Sequence, residues 1–269
     1  MPEQDVRLQF LDSWLDQQLP AVFAERGWGE VPAATLTAAS SDASFRRYFR
    51  WQAGDRSLIV MDAPPPQEDC RPFVKVAGLL AGAGGNVPQI LAADLERGFL
   101  LLSDLGTRTF LDAMTVDNAE GYFARAHTAL LLWQGATRTG LLPAYSHSLL
   151  AREVALFREW YLGRHLQLTL DHEEQAALHA VEAVLVQRAL AQGQVFVHRD
   201  FMPRNRMDSE QDAAGVLDFQ DAVVGPVSYD AISLYRDAFV SWPDSLVQDG
   251  LDRYHQAARA AGLPVPTSR

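Results

Sequence analysis

The chain has 269 residues, 48% of them apolar and 21% charged, with a net charge of −11. That is enough apolar sequence to bury a sizeable core, and it excludes a disordered chain. The acidity argues against nucleic acid or an anionic membrane surface as a partner. Cys70 is the single cysteine, so no intrachain disulfide can form, which fits a reducing cytoplasm. Met1 to Gln9 is acidic without an apolar run and does not read as a signal peptide. No segment offers the ~20 apolar residues that a membrane-spanning helix needs.

In chain order, Leu8, Leu11, Leu15 and Leu19 form a helical stripe between Arg7 and Ala24. Leu36 to Ala63 alternates as strands do, with Phe45, Tyr48, Phe49 and Trp51 marking one or two of them. Gly54-Asp55 reads as a hairpin turn, and Leu58 to Met61 as a buried strand. Cys70 to Leu80 is helix-like, and Ile90 to Ala92 and Gly98 to Leu102 complete a β-rich lobe. Ser103-Asp104-Leu105-Gly106 reads either as a hinge whose backbone docks an adenine or as a plain hairpin turn. Three long helices follow, over Asn118–Gly135, His147–Leu166 and Asp171–Gln192. The last opens with an Asp171/Glu174 capping box and stops at Gly193. Tyr229–Ser241 and Asp244–Ala261 are further helices. The chain shows no repeat and no low-complexity tract.

The chemistry concentrates between these helices. Val195-Phe196-Val197 is an apolar strand that runs into His198-Arg199-Asp200-Phe201-Met202-Pro203-Arg204-Asn205, the pattern H-R-D-x-x-x-x-N. A second apolar run, Val216-Leu217, ends in Asp218. Moving the γ-phosphoryl group of ATP needs a carboxylate beside the acceptor hydroxyl and a few hard oxygens for Mg²⁺. Asp200 fits the first role, and Asn205 with Asp218 fits the second. His198 shapes the loop rather than acting as the base, and Arg199 balances nearby carboxylates. Asp221 reaches the metal through water.

These residues, followed by Phe219-Gln220-Asp221 and Gly225-Pro226-Val227-Ser228-Tyr229-Asp230, resemble the aminoglycoside phosphotransferase superfamily. Ser41-Asp42-Ala43-Ser44-Phe45-Arg46-Arg47-Tyr48-Phe49, Val60 to Pro65 and Glu68 to Phe73 narrow the likeness to bacterial anomeric kinases of N-acetylmuramate and N-acetylglucosamine. The resemblance implies an α+β, bilobal, protein-kinase-like fold, with a nucleotide-binding lobe over residues 1–105 and a helical catalytic lobe over 106–269. It also implies a second lobe shortened at its end, since such enzymes usually continue with more helices. MgATP would phosphorylate the C1 hydroxyl of an amino sugar in peptidoglycan recycling. The partner would be that small molecule, with no nucleic acid and no membrane, and the protein a cytoplasmic monomer. Asp230 would brace the catalytic loop from a helix N-terminus.

The nucleotide loop departs from the protein-kinase form, because no G-x-G-x-x-G occurs. Ser41 and Ser44 lie in its place, with Arg46 or Arg47 to face the phosphates, one only, since alternation puts them on opposite faces. The strand Leu58 to Asp62 carries no lysine. Lys75, on the following helix, is the only lysine in the chain. With Asp104 at the hinge, these residues are the candidates for ATP. Arg204, Tyr161 and Arg236 are candidates for the acceptor, with Trp160, Arg164, Tyr235 and Trp242 on the same helices. Two other readings stay open at this stage: a kinase of another small alcohol such as choline, homoserine, methylthioribose or an aminoglycoside, and a nucleotide-binding regulator without turnover.

Overall fold

A computed structural model describes residues 6–40, 45–209 and 213–266. The chain divides into two compact units, Met1–Ala81 with Asn86–Thr107, and Gly82–Gly85 with Arg108–Arg269. The fold is α+β, and each unit has its own core.

In the first unit, helix α1 (Val6–Glu25) buries Leu11, Trp14, Leu15, Leu19, Val22 and Phe23, the three-and-four spacing of one helical face. Strands β1 (Thr35–Ser40), β2 (Arg47–Ala53) and β3 (Arg56–Asp62) precede helix α2 (Arg71–Gly82). Strands β4 (Ile90–Asp94) and β5 (Phe99–Ser103) then complete an antiparallel sheet in the order β1-β2-β3-β5-β4. The β2–β3 hairpin closes at the pair Ala53↔Arg56 around Gly54-Asp55, with Gly54 at φ 57°, as its turn residues predict. Gly98 (φ 75°) is required before β5: a Cβ there would stand 1.9 Å from the Ala63 carbonyl oxygen. From α1, Trp14 and Phe23 join Trp51, Leu58, Val60 and Phe99 of the sheet in one core. Burial of each such side chain contributes about 1.5–3 kcal/mol before the entropy cost of ordering it.

The second unit begins with the short helix α3 (Phe110–Ala113), then α4 (Ala119–Gly135) and α5 (His147–Leu156). Helix α6 (His172–Leu190) carries the expected capping box, Asp171 Oδ1 accepting from Glu174 N and Glu174 Oε2 from Asp171 N, both at 2.9 Å. Four short strands follow: β6 (Gln194–Val197), β7 (Arg206–Met207), β8 (Gly215–Val216) and β9 (Val223–Pro226). They pair as two antiparallel ribbons, β6 with β9 and β7 with β8. Helices α7 (Tyr229–Tyr235) and α8 (Asp244–Ala260) close the unit.

Two helical expectations change. The stretch His147–Leu166 is not one α-helix: after α5 it widens to a π-helix over Phe157–His165. The helix expected over Tyr229–Ser241 ends at Tyr235. Arg236 leaves helical geometry (φ −119°, ψ 58°), and the Asp237 carboxylate accepts the Phe239 N–H at 2.9 Å, a local turn that competes with the helix.

Candidate active site

All the residues that read as the reaction centre lie in the second unit, on the two ribbons and the loops between them. Strand β6 is buried on both faces, so the chain emerges rigidly into His198-Arg199-Asp200. Asp230, wholly buried in the first turn of α7, accepts the backbone N–H of His198 at 2.7 Å and of Arg199 at 3.0 Å. Burial pushes its carboxyl up to about 7, against the opposing pull of those two N–H groups. Arg199 itself sits at φ 78°, a left-handed conformation costly for a residue with a Cβ. The paired N–H bonds to Asp230 and a 2.6 Å ion pair from Arg199 to Glu153 hold it there. Glu153 also accepts from the Tyr145 hydroxyl.

Asp200 is half-buried. Among the described residues no side chain occupies its carboxylate, and burial, then the charge of Asp218, raises its pKa. The segment Pro203–Asn205 makes a 3₁₀ turn that brings Asn205 back, its Nδ2 donating to the Asp200 carbonyl oxygen at 3.0 Å and to Asp218 Oδ2 at 3.3 Å. The Leu217 N–H donates to the Asn205 carbonyl oxygen at 3.1 Å, locking the two loops together. Asp218 adopts φ 62°, which turns its exposed carboxylate out of the strand line, and Gln220 Nε2 donates to its Oδ1 at 2.8 Å. His198 is fully buried and held neutral by desolvation, consistent with loop support rather than proton transfer.

The donor set fits magnesium. Asn205 offers an amide oxygen with no partner among the described residues, beside the Asp218 carboxylate. Asp221 stands near through Gln220, whose Nε2 is 3.5 Å from Asp221 Oδ2. Among the described residues no group of three or more His, Cys, Asp or Glu is arranged as a metal site. A small hard cation that keeps several waters needs only one or two carboxylates.

The other candidates divide between the two units, and several are engaged elsewhere. Ser41 and Ser44 fall outside the described residues. In the first unit, Arg46 Nε is 3.0 Å from Glu68, both side chains largely covered. Arg47 and Arg7 both grip the buried Asp62. Lys75 is exposed on α2. Asp104 receives Arg50 Nε at 2.7 Å and the Gly106 N–H at 2.9 Å, so its carboxylate is spent on shaping its own turn.

In the second unit, Tyr161 is exposed on the π-helix, stacked between Phe157 and His165. Arg204 is exposed with its guanidinium 4.6 Å over Phe239. Arg236 pairs with Asp244 at 2.7 Å and borders a cavity of about 360 Å³ beside Gln192, Ser228 and Ser233. Tyr235 and Trp242 are core, the former bonding His127 at 2.8 Å, and drop out as sugar contacts.

With this geometry in place, comparison with known proteins decides the family. The model of the phosphotransferase enzyme family matches residues 35–265. The chain belongs to that family. This phosphotransferase is 60% identical over 264 residues to the N-acetylmuramate/N-acetylglucosamine kinase of Pseudomonas aeruginosa, covering 98% of this chain and 78% of that one. It is 58% identical over 265 residues to the protein of the same name from Pseudomonas putida, with the same coverage. Among solved structures, the streptomycin–ATP–APH(2'')-IIa ternary complex aligns with a TM-score of 0.61 at 15% identity, over 97% of this chain and 87% of that one, a likeness of fold. No helix among the described residues is long and apolar enough to cross a membrane.

Sequence reasoning missed three charged residues that contact the candidates: Glu153 on Arg199, Glu68 on Arg46, and Arg206 beside His198. Glu153 lies within the helix expected over His147–Leu166 with no spacing to single it out, and Glu68 belongs to a resembling segment without a role of its own. Arg206 follows Asn205 directly. Its signal was a charged residue where the loop re-enters a buried strand, and it is wholly buried.

Proposed function

We propose that this phosphotransferase moves the γ-phosphoryl group of MgATP to the anomeric hydroxyl of N-acetylmuramate or N-acetylglucosamine. The observation that carries the chemistry is the convergence of Asp200, Asn205 and Asp218 on two hydrogen-bonded loops. The acceptor follows from 60% and 58% identity, over nearly the whole chain, to kinases named for those two sugars.

Bound MgATP supplies the electrophilic phosphorus and the charge neutralisation. Asp200 receives the proton of the sugar hydroxyl as its oxygen attacks, and its raised pKa suits it to hold that proton. Asn205 and Asp218 hold magnesium, with Asp221 behind them through water, and Asp230 keeps Asp200 on station through the backbone. Arg199 offsets the local negative charge. In the first unit, the nucleotide-binding part of this reading, Arg46, Ser41, Ser44 and Lys75 serve the phosphates. Asp104 shapes the turn that meets the base. Arg204, Tyr161 and Arg236 stand as the acceptor candidates. The enzyme acts as a cytoplasmic monomer in peptidoglycan recycling.

Phosphorus NMR of the protein incubated with MgATP and each sugar separately tests this. A new sugar-1-phosphate resonance is the expected result. Asp200→Asn should lower turnover about 10²–10⁴-fold while ATP affinity stays within about twofold. No product with either sugar, or full turnover in Asp200→Asn, defeats the reading.

A further inference from the structure

Arg206 opens β7, one residue beyond the magnesium candidate Asn205, and no catalytic motif includes it. Its guanidinium lies 4.1 Å over the Phe201 ring. Its Nη2 stands 3.2 Å from the Leu217 carbonyl oxygen, 3.5 Å from the Asp200 carbonyl oxygen and 2.9 Å from His198 Nε2. These contacts reach three separate parts of the centre: the start of the loop, the base itself, and the residue before Asp218.

The histidine contact sorts itself by tautomer. Asp200 N donates to His198 Nδ1 at 3.3 Å, so the ring hydrogen sits on Nε2 and points at the Leu217 carbonyl oxygen, 2.9 Å away. Arg206 and His198 therefore share one acceptor, the carbonyl that immediately precedes Asp218.

This arrangement is expensive for the fold. The side chain is wholly buried, and its Nε and Nη1 have no hydrogen-bond partner among the described residues. A buried charge left partly unsatisfied is destabilising, and an apolar side chain of similar volume in such a place is often neutral or better. What faces the charge is a set of carboxylates, those of Asp230, Asp218 and Asp200.

Resting on the roles given above to Asp200 and Asp218, we infer that Arg206 is a positioning residue for phosphoryl transfer, tying the backbone of the base to the backbone that aims the metal carboxylate. Wholly buried, its side chain is closed off from nucleotide and sugar alike. It sets the distance between Asp200 and Asp218 from beneath, at a cost in stability.

The test is Arg206→Met, which keeps volume and removes the charge and donors. Three quantities are measured: the unfolding midpoint, amide hydrogen exchange in the nucleotide-free protein, and steady-state kinetics. Expected are a midpoint equal to or above that of the parent, faster exchange confined to residues 199–201 and 217–219, and a kcat about 10- to 100-fold lower with both KM values within about twofold. Should Arg206→Met not fold, Arg206→Lys, which keeps the charge but not the fork, carries the same comparison.

Unchanged exchange with unchanged kcat overturns the inference. So does a lowered midpoint with faster exchange throughout the second unit, which would make Arg206 merely structural. Because exchange is read without substrates, it decides the role of Arg206 even if the parent protein transfers no phosphate to either sugar. That last result would defeat only the function proposed above.

Discussion

Asp62 and Asp230 are both wholly buried, one in each unit, and they are satisfied in opposite ways. Asp62, at the end of β3, is held by charges: Arg47 at 2.5 Å and Arg7 Nε at 2.6 Å, arginines that keep one side in water. Asp230 accepts hydrogen bonds from two neutral backbone N–H groups, with the charge of Arg206 favouring its ionised form and that of Asp200 opposing it. The first arrangement closes a corner of a sheet and asks nothing of the chain beyond it. The second grips the main chain at the point where a strand becomes a reaction loop. A buried carboxylate paired with arginine fixes side chains; one paired with consecutive amides fixes a backbone path, including the left-handed Arg199 that the path requires.

The comparison breaks most visibly at Asp62. Asp62→Ala leaves two arginines without their partner, and urea unfolding should show about 3 kcal/mol lost, less than for a fully buried pair because both arginines are partly solvated. Asp230→Asn leaves one of two N–H groups without an acceptor. Its stability cost is about 1–3 kcal/mol. Kinetics should show turnover falling by more than that loss of folded protein explains, whereas a loss of activity no larger than the loss of folded protein would reduce Asp230 to a cap.

The pH dependence sharpens the contrast. Asp230 has a folded pKa raised to about 7, above the ordinary carboxylate value of about 3.9. Its contribution to stability is therefore complete below about pH 4 and is lost as pH rises through about 7. Measured from pH 4 to 8, the parent should lose stability that Asp230→Asn retains, flattening the profile. The smallest effect belongs to an exposed pair, Arg71 with Glu96 at 2.6 Å: Glu96→Ala should change the unfolding free energy in urea by less than about 0.5 kcal/mol.

What was legible in the sequence was local. The Asp171/Glu174 cap, the Gly54-Asp55 turn and the loop from His198 to Asn205 are set by residues within a few positions of each other, so spacing alone exposes them. Partners brought together from afar were not. Arg7 reaches Asp62 across 55 residues, and Arg199 meets Glu153 across 46, with no periodicity to announce either. Arg206 was hidden differently, because a charged residue in a short strand reads as exposed until its burial is seen. The helix after Tyr229 failed because Asp237 satisfies backbone locally, a competition that apolar spacing does not register. Candidates that rested on type rather than spacing, Tyr161, Arg204 and Arg236, turned out scattered over the second unit.

Cys70 stands immediately before α2 and is almost entirely covered, while Lys75, on the same helix, faces solvent. The chain contains one of each. A thiol reagent is therefore kept waiting until the start of that helix lifts off its neighbours, whereas an amine-reactive dye attaches to the same helix without disturbing it. The first unit thus carries a paired inside and outside probe, able to time its own opening separately from anything that happens in the second.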